Sequence, residues 1–330
     1  MPNEAELSLA HGKAAGKLDN LMSKLRIRDL ALLKEIAITG SLTDLAKKME
    51  VSQPAISRML HEIEVLFGMK LFQRIQSVGV VPTQAGKIVL SRAEILLADV
   101  ESLSSDLDAF ENGRGGHLRL GLIPFISDQF SQRLILCLLS DQYRMSISIH
   151  EGSTDQLISL MQSAKLDAVI GRSNAAFESA NLAQEKIFTQ KGCLIVHPDN
   201  EIAKNGKINW EKLRNYTWLL PPRNSPTRLA ISELFASKGV APPAAVIETS
   251  SARTIHALVS ARPNMVGVLP SDIGRDLESW GGVFSCLFPS TFYMPTVSVI
   301  YPVKNRNLSS VRGLRGALKD LLSKGMLLVN

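Results

Sequence analysis

Apolar residues recur at helical spacing through the first third of the chain and change to short apolar runs beyond it. Leu30, Leu33 and Ala37 fall on one stripe that Gly40 stops, which predicts a helix beginning near Leu25. Ser41 is placed to cap the next helix, on which Leu42, Leu45, Ala46 and Met49 repeat at i, i+3, i+4 and i+7. Glu50 and Val51 form a short turn. Ser52 then caps a third helix, with Pro54 in the first turn, where a missing N–H costs nothing. Ile56, Leu60, Ile63 and Phe67 form its buried stripe, and Gly68 ends it. Leu71–Ile75 and Val78–Val81 read as two short strands around Gln76 and Ser77. The pattern is a helix-turn-helix followed by a small wing.

Thr83 is placed to cap a fourth helix running to about Asn112. Its apolar positions Val89, Ala93, Leu96, Val100, Leu103, Leu107 and Phe110 alternate steps of four and three, the signature of a coiled-coil dimer seam. The alternative, a lone helix packed on its own domain, usually shows a broader apolar face. Gly113, Gly115 and Gly116 then form a hinge. Beyond it, apolar runs at Leu118–Ile123, Ser146–His150, Ala168–Ile170, Cys193–Val196, Trp218–Leu220, Val246–Ile247, Val266–Leu269 and Ser298–Tyr301 read as strands. Helical stretches near 128–140, 155–164, 228–238, 252–261 and 309–324 separate several of them. This alternation predicts parallel sheets covered by helices, arranged as two lobes with a cleft.

Composition narrows the class. With 330 residues, 45% of them apolar, the chain is neither disordered nor a single ordinary core, and fits two domains plus connectors. No stretch reaches the roughly 20 apolar residues of a membrane helix, so a soluble protein without membrane partners is expected. Residues 1–24 mix Glu4, Glu6, His11, Lys13, Lys17 and Asp19 without an apolar core, unlike a secretory signal, and read as a loose arm or a short extra helix of no assigned function. Cys137, Cys193 and Cys286 are odd in number and far apart, which suits reduced cytoplasmic thiols. The six histidines are scattered, and neither a metal site nor a cofactor is expected. Net charge is +6, unevenly spread. Residues 25–92 carry ten bases and six acids, residues 93–113 six acids and no base, and residues 114–330 twenty-four bases and sixteen acids. Three differently charged segments suggest three organisational units.

On the third helix the buried stripe leaves Gln53, Ser57 and His61 on one outer row, with Pro54 and Arg58 beside them and no acid before Glu62 and Glu64. Such a face suits a major groove, where Gln and Arg read adenine and guanine edges, and Lys47, Lys48 and Arg74 would flank it on phosphates. An ordinary solvated helix face is the alternative, and the wing and short turn favour DNA. Gly40-Ser41-Leu42-Thr43-Asp44-Leu45-Ala46, Val51-Ser52-Gln53-Pro54-Ala55-Ile56-Ser57-Arg58, Leu71-Phe72-Gln73-Arg74 and Thr83-Gln84-Ala85-Gly86 resemble, in order and spacing, the LysR-type transcriptional regulators. The resemblance extends over essentially everything after Lys24. It implies DNA contacts at Gln53, Pro54, Ser57, Arg58 and the wing residue Arg74, to which the helix's own outer row and cap position add His61 and Ser52. Gln73 stands where the family often has Glu, the wing Gln76-Ser77-Val78-Gly79 is less basic than usual, and the arm lies outside the pattern.

Four strand-to-helix junctions are rich in hydroxyls: Pro124–Ser127, Gly152–Thr154, Asn224–Thr227 and Ser250–Ser251. Each hydroxyl alone reads most simply as a helix cap, yet four converging helix N-termini would suit an anion. Arg172, after the strand at Ala168, is placed either to clamp a carboxylate or to sit at the surface. The family resemblance implies a two-lobed, periplasmic-binding-protein-like effector domain, with Ser127, Ser153 or Thr154, Arg172, Ser225 and Pro270 nearest effector positions, and the hydroxyl-rich junctions add Thr227 and Ser250 as candidates. Gly121-Leu122-Ile123-Pro124 and Val169-Ile170-Gly171-Arg172 are similar to regulators of aromatic-acid and sugar uptake or catabolism, whereas Ala261-Arg262-Pro263-Asn264 replaces a turn that is usually glycine-rich.

The expected architecture is therefore α/β: an arm at 1–24, a winged helix-turn-helix at 25–83, a coiled-coil linker helix at 84–113 and an effector domain at 117–330. Lobe I would take about 117–188 and 291–330, and lobe II about 189–290. The leading reading is an effector-responsive regulator that dimerises through its linker and reads an inverted repeat in double-stranded DNA. The resemblance adds a homotetramer, and RNA polymerase as a further partner. An enzyme with its active site in the cleft is the second reading, although no phosphate loop, nucleophile elbow or metal spacing supports it and His150 and Glu151 should face opposite sides of their strand. A ligand-independent DNA-binding scaffold is the third.

Overall fold

The computed structural model describes residues 19–111, 115–175, 177, 181–206, 208–213, 215–241, 243, 245–288 and 292–324. Most of the arm, the hinge residue Gly113 and the side chain of Phe110 lie outside the described residues. The chain forms two compact units that divide at Ser104.

In the first unit, a helical turn at 19–24 precedes α1 (Ile27–Thr39), α2 (Leu42–Lys48) and α3 (Gln53–Phe67). Strands β1 (Phe72–Ile75) and β2 (Gly79–Pro82) pair antiparallel as the wing, and α4 spans Gln84–Glu111. Gly40 ends α1 in the left-handed region at φ 64°, and Ser41 caps α2 by accepting from the Asp44 amide. The Val80 amide bonds the Gly40 carbonyl at 2.8 Å, which ties the wing to the end of α1. Gly79, at φ 100°, lies so close that a Cβ there would collide with the Gly40 carbonyl. Leu33, Ile36, Leu45, Ile56 and Leu71 are fully buried in the core that these elements enclose.

The second unit holds two five-stranded sheets. In lobe I the order is β4 (Ser146–Glu151), β3 (His117–Leu122), β5 (Ala168–Arg172), β12 (Val297–Pro302), β6 (Leu182–Phe188). In lobe II it is β11 (Phe284–Leu287), β7 (Gly192–Val196), β10 (Met265–Pro270), β8 (Thr217–Leu220), β9 (Ala245–Glu248). Helices α5 (Asp128–Leu139), α6 (Thr154–Gln162) and α12 (Ser309–Ser323) serve lobe I. Lobe II carries α7 (Glu201–Asn205), α8 (Trp210–Leu213), α9 (Pro226–Ser237), α10 (Ala252–Ala261) and α11 (Ser271–Ser279).

The sheets are mixed, which corrects the expectation of parallel sheets. β3, β4 and β5 are parallel, as are β8, β9 and β10, but β12 runs against β5 and β6, and β7 runs against β10 and β11. Topology supplies the reason. A strand arriving from the other lobe enters its sheet at the crossover and runs away from it, opposite to strands that end there. Val297 of β12 therefore pairs with Arg172, and Gly192 of β7 with Pro270. Strands β6 and β11 and helices α7, α8 and α11 were not expected. β6, Leu-Ala-Gln-Glu-Lys-Ile-Phe, is a sheet edge and lacks an apolar run.

Among the described residues, no helix is long and apolar enough to cross a membrane.

Candidate DNA-reading face and effector site

Helix α3 buries Ile56, Leu60 and Ile63 and turns its opposite side to solvent. Ser52, Gln53, Pro54, Ser57, Arg58 and His61 are all exposed, as is Arg74 on β1. Ser52 occupies the N-cap position, but its hydroxyl makes no capping bond, which corrects its expected role. Lys47 and Lys48 flank the row, in surface ion pairs with Asp44 (3.8 Å) and Glu35 (2.6 Å). Such exposed pairs are worth under about 1 kcal/mol, so a phosphate can replace them cheaply.

Two residues of this helix depart from expectation. Phe67 is only half-buried, and Glu64, read from sequence as part of the acidic end of the outer row, is buried. Its carboxylate accepts from the Leu71 and Phe72 amides at 2.8 and 3.2 Å and from the Lys70 ammonium at 2.6 Å. Burial alone pushes the Glu64 carboxyl up. The Lys70 ammonium and the two amides outweigh it and hold the carboxyl below its ordinary value. One carboxylate thus fixes the start of the wing to α3. The signal was available: position 64 follows Leu60 by four, on the buried stripe.

On α4, Thr83 caps as expected, accepting from the Gly86 amide at 3.0 Å. Val89 packs on the winged-helix core and Ala93 is buried in the single chain, so neither is free for a partner helix. Leu96, Val100, Leu103 and Leu107 remain 42–59% exposed along one line. The first turns of the heptad pattern serve the domain's own core, and the exposed seam is shorter than the sequence suggested.

In the second unit, all six parallel strands end at the lobe crossover, so α5, α6, α9, α10 and α11 begin on that side. Ser127, Ser153 and Ser225 cap α5, α6 and α9, accepting from the amides of Phe130, Gln156 and Arg228 at 3.3, 3.4 and 3.2 Å. Ser225 also donates to the Pro222 carbonyl at 2.8 Å. At α10 the capping hydroxyl belongs to Ser251, and Ser250 is half-buried beside it. Thr227 is buried in the first turn of α9, and Pro270, also buried, sits at the entry to α11. Phe125 of lobe I packs into the lobe II cluster of Leu269, Ile273 and Leu277.

Arg172 is buried at the centre of this region, and its backbone amide donates to the Thr154 hydroxyl at 3.1 Å. Its Nη1 donates to the Pro295 carbonyl at 2.9 Å and its Nη2 to Gln190 Oε1 at 2.6 Å. Burial brings the guanidinium down to about 10, a shift that Asp272 opposes, so it stays charged at neutral pH. Gln190 in turn donates from Nε2 to both Asp272 oxygens, at 2.9 and 2.7 Å. Sequence reasoning found Arg172 but neither Gln190 nor Asp272. Their partners lie 18 and 82 residues away, and no local pattern marks them.

Comparison with known proteins agrees with this geometry. Residues 27–87 match the model "Bacterial regulatory helix-turn-helix protein, lysR family", and residues 111–323 match "LysR substrate binding domain". The HTH-type transcriptional regulator GbpR of Azospirillum brasilense is 25% identical over 302 residues, covering 91% of this chain and 87% of that protein. The HTH-type transcriptional regulator TdcA of Escherichia coli is 23% identical, covering 75% of this chain and 78% of that protein. In fold, the chain is similar to full-length CbnR solved with its target DNA (TM-score 0.67, 21% identity, 90% of this chain and 99% of that one). It is also similar to a full-length OxyR variant of Pseudomonas aeruginosa (TM-score 0.62, 21% identity, 89% and 95%). An outward polar row on a winged helix-turn-helix, a long linker helix and a two-lobed α/β domain that matches along nearly its whole length lead to one assignment. The chain belongs to the LysR family of DNA-binding transcriptional regulators, with a C-terminal effector-binding domain.

Proposed function

We propose that this regulator reads an inverted repeat as a dimer joined through α4 and responds to a small carboxylate bound at the lobe crossover. The observation that carries the DNA reading is the exposed, acid-free row of Ser52, Gln53, Ser57, Arg58 and His61 opposite the buried stripe of Ile56, Leu60 and Ile63. Gln and Arg on such a row make bidentate contacts to adenine and guanine, and Arg74 and the flanking lysines track phosphates. Footprinting on the DNA upstream of the protein's own gene, with a salt titration, tests it. A protected inverted repeat with a steep salt dependence is expected, and no protection at low salt would overturn the assignment to that DNA.

Leu96, Val100, Leu103 and Leu107 support dimerisation, because four apolar side chains in line at steps of four, three and four form a seam that two helices can share. Leu103→Asp puts a charge into it and should shift sedimentation from dimer to monomer at micromolar concentration. Assembly of two such dimers into a tetramer, and contact with RNA polymerase, extend the reading along family lines.

Support for an anionic effector comes from five helix N-termini beginning on one side, around a buried Arg172. Helix dipoles favour negative charge at those ends, and strand C-termini are where ligands bind in folds of this kind. Ser127, Ser153, Thr154, Ser225, Thr227, Ser250 and Pro270 would then frame the ligand. Several of these hydroxyls already cap helices or hold Arg172, so the free backbone amides beside them are the natural donors.

A further inference from the structure

Two chain segments pass between the lobes, and one guanidinium holds both. Arg172 bonds the Pro295 carbonyl on the returning segment and the Gln190 side chain on the outgoing one. The segments are also bonded to each other, Met294 N to Gln190 O at 2.9 Å and Gly192 N to Phe292 O at 2.8 Å. They therefore behave as a single double-stranded strap.

Arg172, Gln190 and Asp272 are 3%, 5% and 7% exposed. The order is a lobe I cation, an amide on the strap, and a lobe II anion in the first turn of α11, where the helix N-terminus favours its charge. The amide is oriented from both ends, its carbonyl towards the cation and its NH2 towards the carboxylate. Turning it over would set each end against a like one. Rotation of one lobe against the other must break one of these bonds and leave a buried charge without its partner, which is costly in this dry setting.

We propose that Gln190 is the positioning residue that couples the effector to lobe geometry. A ligand carboxylate on Arg172 competes with the Gln190 carbonyl for Nη2, so ligand occupancy and the Arg172–Gln190–Asp272 tie oppose each other. The tie is strongest in the empty protein, and occupancy frees lobe II to rotate about the strap. This rests on the carboxylate reading above. Coupling is reciprocal, so weakening the tie must raise carboxylate affinity by the factor by which the carboxylate loosens the tie.

The test uses the full chain. Amide hydrogen exchange at Gly192, Met294 and Ser173, whose amide donates to the Thr296 carbonyl at 2.8 Å, reports the strap, and calorimetric titration with acetate, succinate and benzoate reports the site. Gln190→Met should speed exchange at least fivefold and tighten carboxylate binding several-fold. Gln190→Glu should also speed exchange, through repulsion from Asp272, but should weaken carboxylate binding by placing a rival anion on Arg172. Gln190→Glu combined with Asp272→Asn keeps the alternation of donors and acceptors, so it should return exchange to the wild-type rate while carboxylate binding stays weak. A role in packing alone would not give this rescue, nor opposite affinity changes from two single variants. Unchanged exchange in Gln190→Met, or a double variant no slower than Gln190→Glu, overturns the proposal. If none of the three acids binds the wild type, the carboxylate reading fails, and the exchange rescue alone then decides the tie.

Discussion

Gln53 and Arg58 stand in solvent on α3, whereas Gln190 and Arg172, the same two residue types, are buried at the lobe crossover with their polar atoms bonded to the protein. On α3 the apolar stripe does the holding, and the polar row is left for an outside partner. At the crossover the polar groups are themselves the fastening, so the proposed ligand would gain contact only by displacing a bond already made. Substitutions at the first region should therefore change binding and spare the fold, and those at the second should change both.

The largest effect is expected from Arg172→Met. It strips both strap segments of their donor, removing two hydrogen bonds made by a buried charged group, at a cost of about 3–5 kcal/mol. All three tryptophans, Trp210, Trp218 and Trp280, lie in the second unit, so urea unfolding followed by their fluorescence reads this loss directly. A midpoint equal to that of the wild type would place Arg172 with the dispensable surface cations.

Glu64→Gln should cost the winged domain about 1.5–3 kcal/mol by weakening charged hydrogen bonds to Leu71 and Phe72. Because the folded carboxyl sits below its ordinary value of 4.5, its contribution is complete above that pH and is lost as the pH falls through the folded value. Circular dichroism melts across pH 3–6 should show this dependence in the wild type and not in the variant.

Arg58→Ala comes next, weakening specific DNA binding by about 1–3 kcal/mol in a gel-shift titration while leaving the melting temperature unchanged. A lower melting temperature would remove the distinction between the two regions. Ser225→Ala is the smallest. Losing the cap of α9 should cost about 1 kcal/mol by tryptophan fluorescence, together with a weaker effector response. A full response at reduced stability would make Ser225 a cap and nothing more.

The two regions also differ in what a linear reading reveals. Everything that shapes the α3 face is local: the stripe at Ile56, Leu60 and Ile63 and the glycine stops at Gly40 and Gly68 lie within one or two helical repeats. For Glu64 the spacing after Leu60 signals burial, but its partners, seven and eight residues on, lie past the end of the helix and are not signalled. At the crossover, the caps Ser127, Ser153 and Ser225 were legible as hydroxyls just before apolar helices. The fate of Arg172 was not. Its Nη1 acceptor, Pro295, is 123 residues away, and it comes near only because β12 re-enters the first sheet between β5 and β6. The same return makes the sheets mixed, a property of the path between lobes that no single strand records.

Lobe II is spliced into lobe I as one continuous stretch, and its two ends leave as hydrogen-bonded neighbours, with Lys191 bridged to Tyr293 and Gly192 to Phe292. An insertion whose ends meet side by side is a cassette. Two cuts, near Gln190 and Pro295, would lift out half of the proposed ligand-binding wall without touching the sheet that remains. Sensors of this design can therefore exchange chemical specificity by recombination of a single gene segment, provided the incoming piece brings a residue able to stand where Asp272 meets the strap.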